Sequence, residues 1–163
     1  MRWKPAVTVA AIIERQQHFL LVDEWAGGRR CFNQPAGHLE PGESLLQAVV
    51  RETREETGCL FEPQALIGIY QWQARGEGKS FLRFTFCGQA GAPAAGAVLD
   101  EGIVGTRWCS RQEILEAQLP LRTPLIARSV RDIRKCYPLS STVQRENTAS
   151  NLSPTRICLL QVR

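Results

Sequence analysis

Apolar residues recur along this chain with two different periods, and the places where the period changes mark its elements. Residues 5–14 (PAVTVAAIIE) and 18–24 (HFLLVDE) are short runs rich in β-branched residues and leucine. Joined by the polar turn Arg15-Gln16-Gln17, they predict a hairpin of two buried strands. LIGIYQWQA (66–74) and FLRFTFCG (81–88) predict a second hairpin around Gly76-Glu77-Gly78. Along 81–88 the alternation puts Leu82, Phe84 and Phe86 on one face and Arg83 and Thr85 on the other. Trp25 to Arg30 is expected as a loop, Cys31 to Pro35 as a short extended piece, the Ala/Gly/Pro-rich 89–99 as a connector, and residues near 103–109 as a further strand.

Between the hairpins the period becomes helical. Glu40-Pro41-Gly42-Glu43 has proline and glycine at the two central positions of a type II turn, where a preset φ and a positive φ are wanted. Ser44 and Gln47 then form an S-x-x-Q capping box, and Gly58 supplies a left-handed stop. At about 100° per residue, Leu46, Val49, Val50, Thr53 and Thr57 share one side of this helix, and Glu52, Glu55 and Glu56 the other. Like charges at i, i+3 and i+4 cost roughly 0.2–0.5 kcal/mol per pair, so folding gives no reason to gather them. A bound cation does. The competing reading is a solvated acidic face, softened by pairing of Arg51 with Glu55.

Two shorter helices are expected, one at 110–115 started by Ser110 and one at 124–136 with Pro124 in its first turn. Strands with helices on both sides predict an α/β/α sandwich around a mixed sheet. With 163 residues, 44% of them hydrophobic, the chain has room for one domain, expected over 1–139. Residues 140–163 turn to Ser, Thr, Asn and Gln and are expected as a mobile polar tail, within which ICLLQV (157–162) is a candidate edge strand.

Charge changes the picture little. Residues 1–106 carry a net −2 and residues 107–163 a net +6, but the basic residues are scattered without a dense run or interleaved aromatics. Nucleic acid is therefore not expected as a partner. The six cysteines lie more than twenty residues apart, outside any zinc-like spacing, and several sit in apolar strings. Reduced, packed thiols in a cytoplasmic protein are the expectation. Arg2 and Lys4 ahead of AVTVAAII give a shallow likeness to a signal peptide, but the apolar run stops at Glu14-Arg15, and no run approaches the roughly twenty residues of a membrane span.

The string from Gly37 to Cys59 resembles the Nudix box, G-x5-E-x7-R-E-U-x-E-E-x-G-U with U aliphatic. Gly37, Glu43, Arg51, Glu52, Glu55, Glu56 and Gly58 are all in register, with Thr53 and Cys59 departing at two U positions. The resemblance implies the Nudix fold and hydrolysis of a diphosphate with Mg²⁺, for which Mn²⁺ can substitute. It further implies that Gly37, Glu52, Glu55 and Glu56 hold metal, that Glu52 also activates water, and that Arg51 and Glu43 keep Glu52 in place. Oxygen-rich carboxylate sites do suit hard divalent cations.

Further strings, among them Asn33-Gln34-Pro35-Ala36-Gly37-His38, Gln71-Trp72, Phe81-Leu82-Arg83-Phe84 and Tyr137-Pro138-Leu139, are similar to one phosphatase branch of that family. The branch implies orthophosphate release from nucleoside tri- and diphosphates and from hydroxymethylpyrimidine pyrophosphate; a monomer is expected. Two alternatives remain at this stage: a pyrophosphatase of nucleoside-diphosphate conjugates, and a non-catalytic Nudix regulator that binds nucleotide. Candidate substrate contacts are His38 beside the turn, Arg83 as a phosphate clamp and Trp72 as a stacking platform. Against them stand a turn histidine, a surface ion pair and a core tryptophan. Asp100 and Glu101 are candidates for an extra acid distant from the box.

Overall fold

Alternation along the first strand decides which layer each helix occupies. The computed structural model of the chain describes residues 3–74, 78–139 and the backbone of 159–161. Strand β1 spans Ala6–Arg15. Its Val9, Ala11 and Ile13 join Ala48, Val49, Phe61 and Phe86 in one apolar cluster, whereas Ile12 joins Ile67, Ile114, Ile126 and Val130 in another. The first cluster is closed by helix α1 (Leu45–Thr57), the second by α2 (Arg111–Leu115) and α3 (Leu125–Asp132). A fully buried side chain such as Val49 or Ile126 contributes about 1.5–3 kcal/mol. The predicted α/β/α sandwich is therefore the observed architecture.

The sheet between these layers is mixed. β1 runs parallel to β6 (Ser80–Ala90) and antiparallel to the short β4 (Ala36–His38). β6 pairs antiparallel with β5 (Phe61–Gln73), whose far edge takes both β8 (Tyr137–Pro138) and β9 (Leu159–Gln161). β2 (His18–Ala26) lies between β3 (Arg29–Asn33) and β7 (Ile103–Ser110) and meets β1 only near their shared turn.

Several expectations need correction. The loop from Trp25 to Arg30 shrinks to Gly27-Gly28, both at positive φ, because strands continue to Ala26 and restart at Arg29. β5 begins five residues earlier than its apolar alternation suggested. Register shifts between Pro63/Ala65 and between Leu66/Gly68 break the two-residue period that would have disclosed it. The last long helix stops at Asp132 and tightens into a 3₁₀ turn, Ile133–Lys135.

Cys31, Cys59 and Cys109 are buried, and the five described thiols are free. Burial pushes the Cys87 thiol up to about 11. No helix among the described residues is long and apolar enough to cross a membrane. The hairpin-tip residues 75–77 and most of the expected tail, 140–158 and 162–163, lie outside the described residues.

Candidate active site

Local chemistry sets the position of α1 before any tertiary contact does. Gly42 sits at φ +87° in the turn, the Ser44 hydroxyl accepts from the Gln47 amide at 3.2 Å, and the Gln47 side chain accepts from the Ser44 amide at 2.8 Å. Gly58, at φ +71°, ends the helix by donating to the Arg54 carbonyl at 2.8 Å. Thr53 and Cys59, the two residues that depart from the box pattern, are both buried. Cys59 belongs to the α1 core cluster.

The acidic side of the helix is not a solvated face. Glu52 and Glu56 are buried, and only the Glu55 side chain, at 39% exposure, reaches water freely. Arg51 organises the group. Its guanidinium donates to Glu43 at 2.7 and 3.1 Å, to Glu52 and Glu55 at 2.9 Å each, and to the His38 carbonyl at 3.0 Å. These contacts, with Glu43 first, raise the Arg51 pKa above its already high value. Glu43 is lowered in return by Arg51 and by the Glu40 amide.

Glu52 lies against Gly37 so closely that a Cβ there would fall 2.0 Å from its carboxylate. Only glycine leaves that space. Desolvation raises the Glu52 pKa, opposed by Arg51 and reinforced by the charges of Glu55 and Asp100. Glu56 is pushed up to about 8 by burial, and its one hydrogen bond among the described residues is from the Ala36 amide at 2.8 Å.

A cleft of about 670 Å³ gathers Gly37, His38, Arg51, Glu52, Glu55 and Glu56 with Trp72, Arg83 and Asp100, which the sequence also singled out. Glu43 stays outside its lining and touches the others through Arg51. Glu101 is exposed and outside the cleft, whereas the Asp100 amide donates to the Glu55 carbonyl at 3.1 Å.

Arg83 is not part of a surface ion pair. It is 8% exposed, and burial followed by the nearby Arg122 charge lowers its pKa to about 10. Trp72 is not core either: half-buried, it stacks on Phe81 at 5.5 Å and 26°, and the Phe81 ring lies 6.4 Å from the exposed His38 ring.

The sequence reading missed Phe81, Thr123 and Arg122, all of which line the cleft. Phe81 lies in a string already noted for its likeness to the phosphatase branch, the one signal that pointed to it. Arg122 and Thr123 sit in a loop with no periodicity. Arg122 is delivered by hydrogen bonds of its backbone to Phe32 (2.8 Å) and of its side chain to Glu24 (2.9 Å).

Among the described residues no three His, Cys, Asp or Glu side chains are already drawn into a ligand cluster. Glu52 and Glu55 turn to Arg51, and Glu56 to the Ala36 amide. The donor chemistry nonetheless fits a hard divalent cation, since it is all oxygen and includes a buried carboxylate that burial disfavours in its charged form.

The family model described as NUDIX domain matches residues 3–131. Phosphatase NudJ of Escherichia coli strain K12 is 42% identical over 135 residues, covering 83% of this chain and 84% of that protein. A NUDIX hydrolase structure from Nitrosomonas europaea superposes with a TM-score of 0.79 at 49% identity, covering 83% of this chain and 94% of that one. The NUDIX domain of Shewanella oneidensis NrtR, solved with ADP ribose, shares the fold at a TM-score of 0.63 and 16% identity, covering 82% and 89% of the two chains.

Proposed function

The chain belongs to the NUDIX family and is a Nudix phosphohydrolase homologous to phosphatase NudJ, and from that membership we propose that it releases orthophosphate from nucleoside tri- and diphosphates and from hydroxymethylpyrimidine pyrophosphate. Mg²⁺ is the proposed cofactor, with Mn²⁺ as a substitute. The proposal includes a monomer in the cytoplasm, one catalytic domain over residues 1–139 with 140–163 as an appendage, and no nucleic-acid partner.

The observation that carries the reading is the Arg51 fork, which holds Glu52 and Glu55 along one wall of the cleft and is itself anchored by Glu43 outside the lining. Glu52, Glu55, Glu56 and the Gly37 carbonyl would hold the cation, which when bound neutralises charge on the oxygens of the diphosphate. Glu52 is the group that takes the proton from the attacking water. Its raised pKa makes it a better base than an exposed carboxylate, and Arg51 keeps it oriented. Asp100, which faces the same cleft, is the distal acid of this proposal. Trp72 and His38, at either side of Phe81, offer flat surfaces for a base or pyrimidine ring. Arg83 answers the phosphates.

The test is product analysis across a Mg²⁺ titration, with nucleoside di- and triphosphates, hydroxymethylpyrimidine pyrophosphate and a nucleoside-diphosphate sugar as substrates. Orthophosphate from the first three is expected. Cleavage of the sugar conjugate alone would replace the reading by a pyrophosphatase, and nucleotide binding without turnover by a regulator.

A further inference from the structure

Asp23 and Glu24 are consecutive on β2, and each is paired with an arginine in a different way. Arg30 grips Asp23 with two nitrogens, Nε at 2.7 Å and Nη2 at 2.6 Å, the fork that matches a carboxylate. Arg122 meets Glu24 through Nη1 alone, which donates to both carboxylate oxygens at 2.9 Å. Its Nε and Nη2 make no hydrogen bond among the described residues, and its side chain, which lines the cleft, is 45% exposed. The Glu24 side chain is only 7% exposed.

Backbone pairing delivers this guanidinium. The Phe32 amide donates to the Pro120 carbonyl at 2.9 Å and the Arg122 amide to the Phe32 carbonyl at 2.8 Å, so residues 120–122 extend the sheet past β3. Glu24 lies one strand further in, as register partner of the cleft residue Cys31. The Arg122 side chain is thus fixed by its backbone at one end and by a buried carboxylate at the other. A latch that merely ties the loop to the sheet is the competing explanation. Buried ion pairs are poor sources of stability, since apolar residues of similar volume do as well or better, and a latch would gain from the two-nitrogen fork that Arg30 uses. Arg29, also exposed and lining the cleft, gives the contrast, because no side-chain bond among the described residues holds it.

We propose that Arg122 is a further substrate-contacting residue, whose uncommitted Nε/Nη2 edge meets the phosphate chain of a bound nucleotide, and that buried Glu24 is the positioning residue that aims it. The inference rests on the phosphohydrolase reading above and adds a pair of residues to that site. Held at Nη1 and at its backbone, the guanidinium has little freedom left to lose when two phosphate oxygens arrive. Its charge acts on both Arg83 and Glu56, so it stands within electrostatic range of the residues proposed for phosphate and for metal.

Arg122→Lys keeps the charge and can still reach Glu24, but it has no fork. In the metal-loaded enzyme its KM for a nucleoside diphosphate is expected to rise about tenfold, with kcat within about threefold of the parent. Binding of the non-hydrolysable α,β-methylene-ADP, followed by calorimetry, should weaken by a similar factor, while the melting temperature stays within about two degrees. Arg29→Gln removes a charge from the same cleft at an unanchored position and should change KM and affinity less than about threefold. Glu24→Gln should raise KM about fivefold in the parent and add nothing to Arg122→Lys, since it acts only through the guanidinium. Unchanged KM and analogue affinity in Arg122→Lys, an equal loss in Arg29→Gln, or full additivity of the Glu24 and Arg122 effects would overturn the proposal.

Should a single variant fail to fold, the double variant Glu24→Gln/Arg122→Met removes charge and counter-charge together and leaves no buried carboxylate alone. It is expected to bind the analogue at least about tenfold more weakly, and parental affinity in it would overturn the proposal. The two readings separate. A parent that binds the analogue through Arg122 but hydrolyses no diphosphate keeps the contact and sinks the activity. One that releases orthophosphate, and whose Arg122→Lys variant matches it in KM and analogue affinity, keeps the activity and sinks the contact.

Discussion

Arg51 and Arg83 line the same cleft, yet the first makes five hydrogen bonds to four residues while the second has two buried nitrogens with no acceptor. Their titration follows suit. Acceptors raise Arg51, and burial lowers Arg83 to about 10. A guanidinium saturated by its own chain is a positioning device, whose work is complete when the protein folds. One held dry without acceptors is unfinished until a ligand arrives. The cleft thus combines a prearranged acidic wall on α1 with a buried guanidinium on β6 that keeps two nitrogens without acceptors, which is the polarity a phosphate bridged to a cation requires.

The largest effect should come from the acidic wall. Glu55→Gln keeps the shape and removes a charge that a cation needs, so turnover should fall by about two to four powers of ten, at roughly 1.36 kcal/mol per tenfold. Melting of the metal-free protein should hardly change, since the lost Arg51 contact is offset by relief of repulsion from Glu52. Phosphate release and thermal unfolding of the two proteins decide it, and undiminished turnover would remove Glu55 from the mechanism.

Arg51→Met should come next, with turnover down about a thousandfold and stability down about 2–3 kcal/mol, because three carboxylates lose their shared partner. Urea unfolding beside the activity assay reads both. A variant that loses activity but no stability would mean that Arg51 touches substrate rather than positioning the glutamates.

The third prediction tests whether Arg83 already neutralises Glu56. With a pKa of about 8 in the folded protein against an ordinary 4.5, Glu56 binds a proton over a window where the unfolded chain has released it. Its contribution to stability is full below the unfolded value and is lost as pH rises through 8, an effect on the order of 2–4 kcal/mol. Glu52 shifts in the same direction, whereas the lowered Asp23, Glu43 and Glu113 act only in acid. Metal-free protein should therefore unfold at lower urea at pH 8.5 than at pH 5.5, with a flatter profile in Glu56→Gln. A level profile for the parent would show that Arg83 already serves as the counterion, and the contrast between the two arginines would lose half its force.

The smallest effect is expected from the C-terminal segment, since Arg83 and Arg51 with its partners all lie within residues 1–139. Its described strand, β9, adds three residues to the edge of β5. Truncation after Ser140 should lower the melting temperature by less than about five degrees, at the 2–4 °C per kcal/mol usual for this size, and leave kcat/KM unchanged. A larger fall would extend the proposed domain boundary to the C-terminus.

What could be read from the residues in order is what depends on neighbours within a few positions. The limits of α1 follow from Ser44, Gln47 and Gly58, because caps are closed by hydrogen bonds spanning three or four residues. The two faces of β1 follow from a two-residue alternation, and the box register gives the family and the roles proposed for its glutamates.

Long-range pairing settled the rest. Helical periodicity sets Glu55 opposite the apolar side and Glu52 and Glu56 along its flank, correcting the expectation that all three lie on the far side, but it cannot tell solvent from a cleft. That Glu52 and Glu56 are buried depends on β4 bringing Ala36 and Gly37 against the helix. Strand alternation sends Arg83 away from Phe84 and Phe86, yet its burial without a partner arises where β1, β6 and the loop before α3 converge. Arg122, 98 residues from Glu24, enters the cleft through a contact that no local pattern encodes. Desolvation belongs to the packed assembly and not to any segment, so the shifted carboxylates and the orphaned guanidinium emerge only when these distant pieces close over one another.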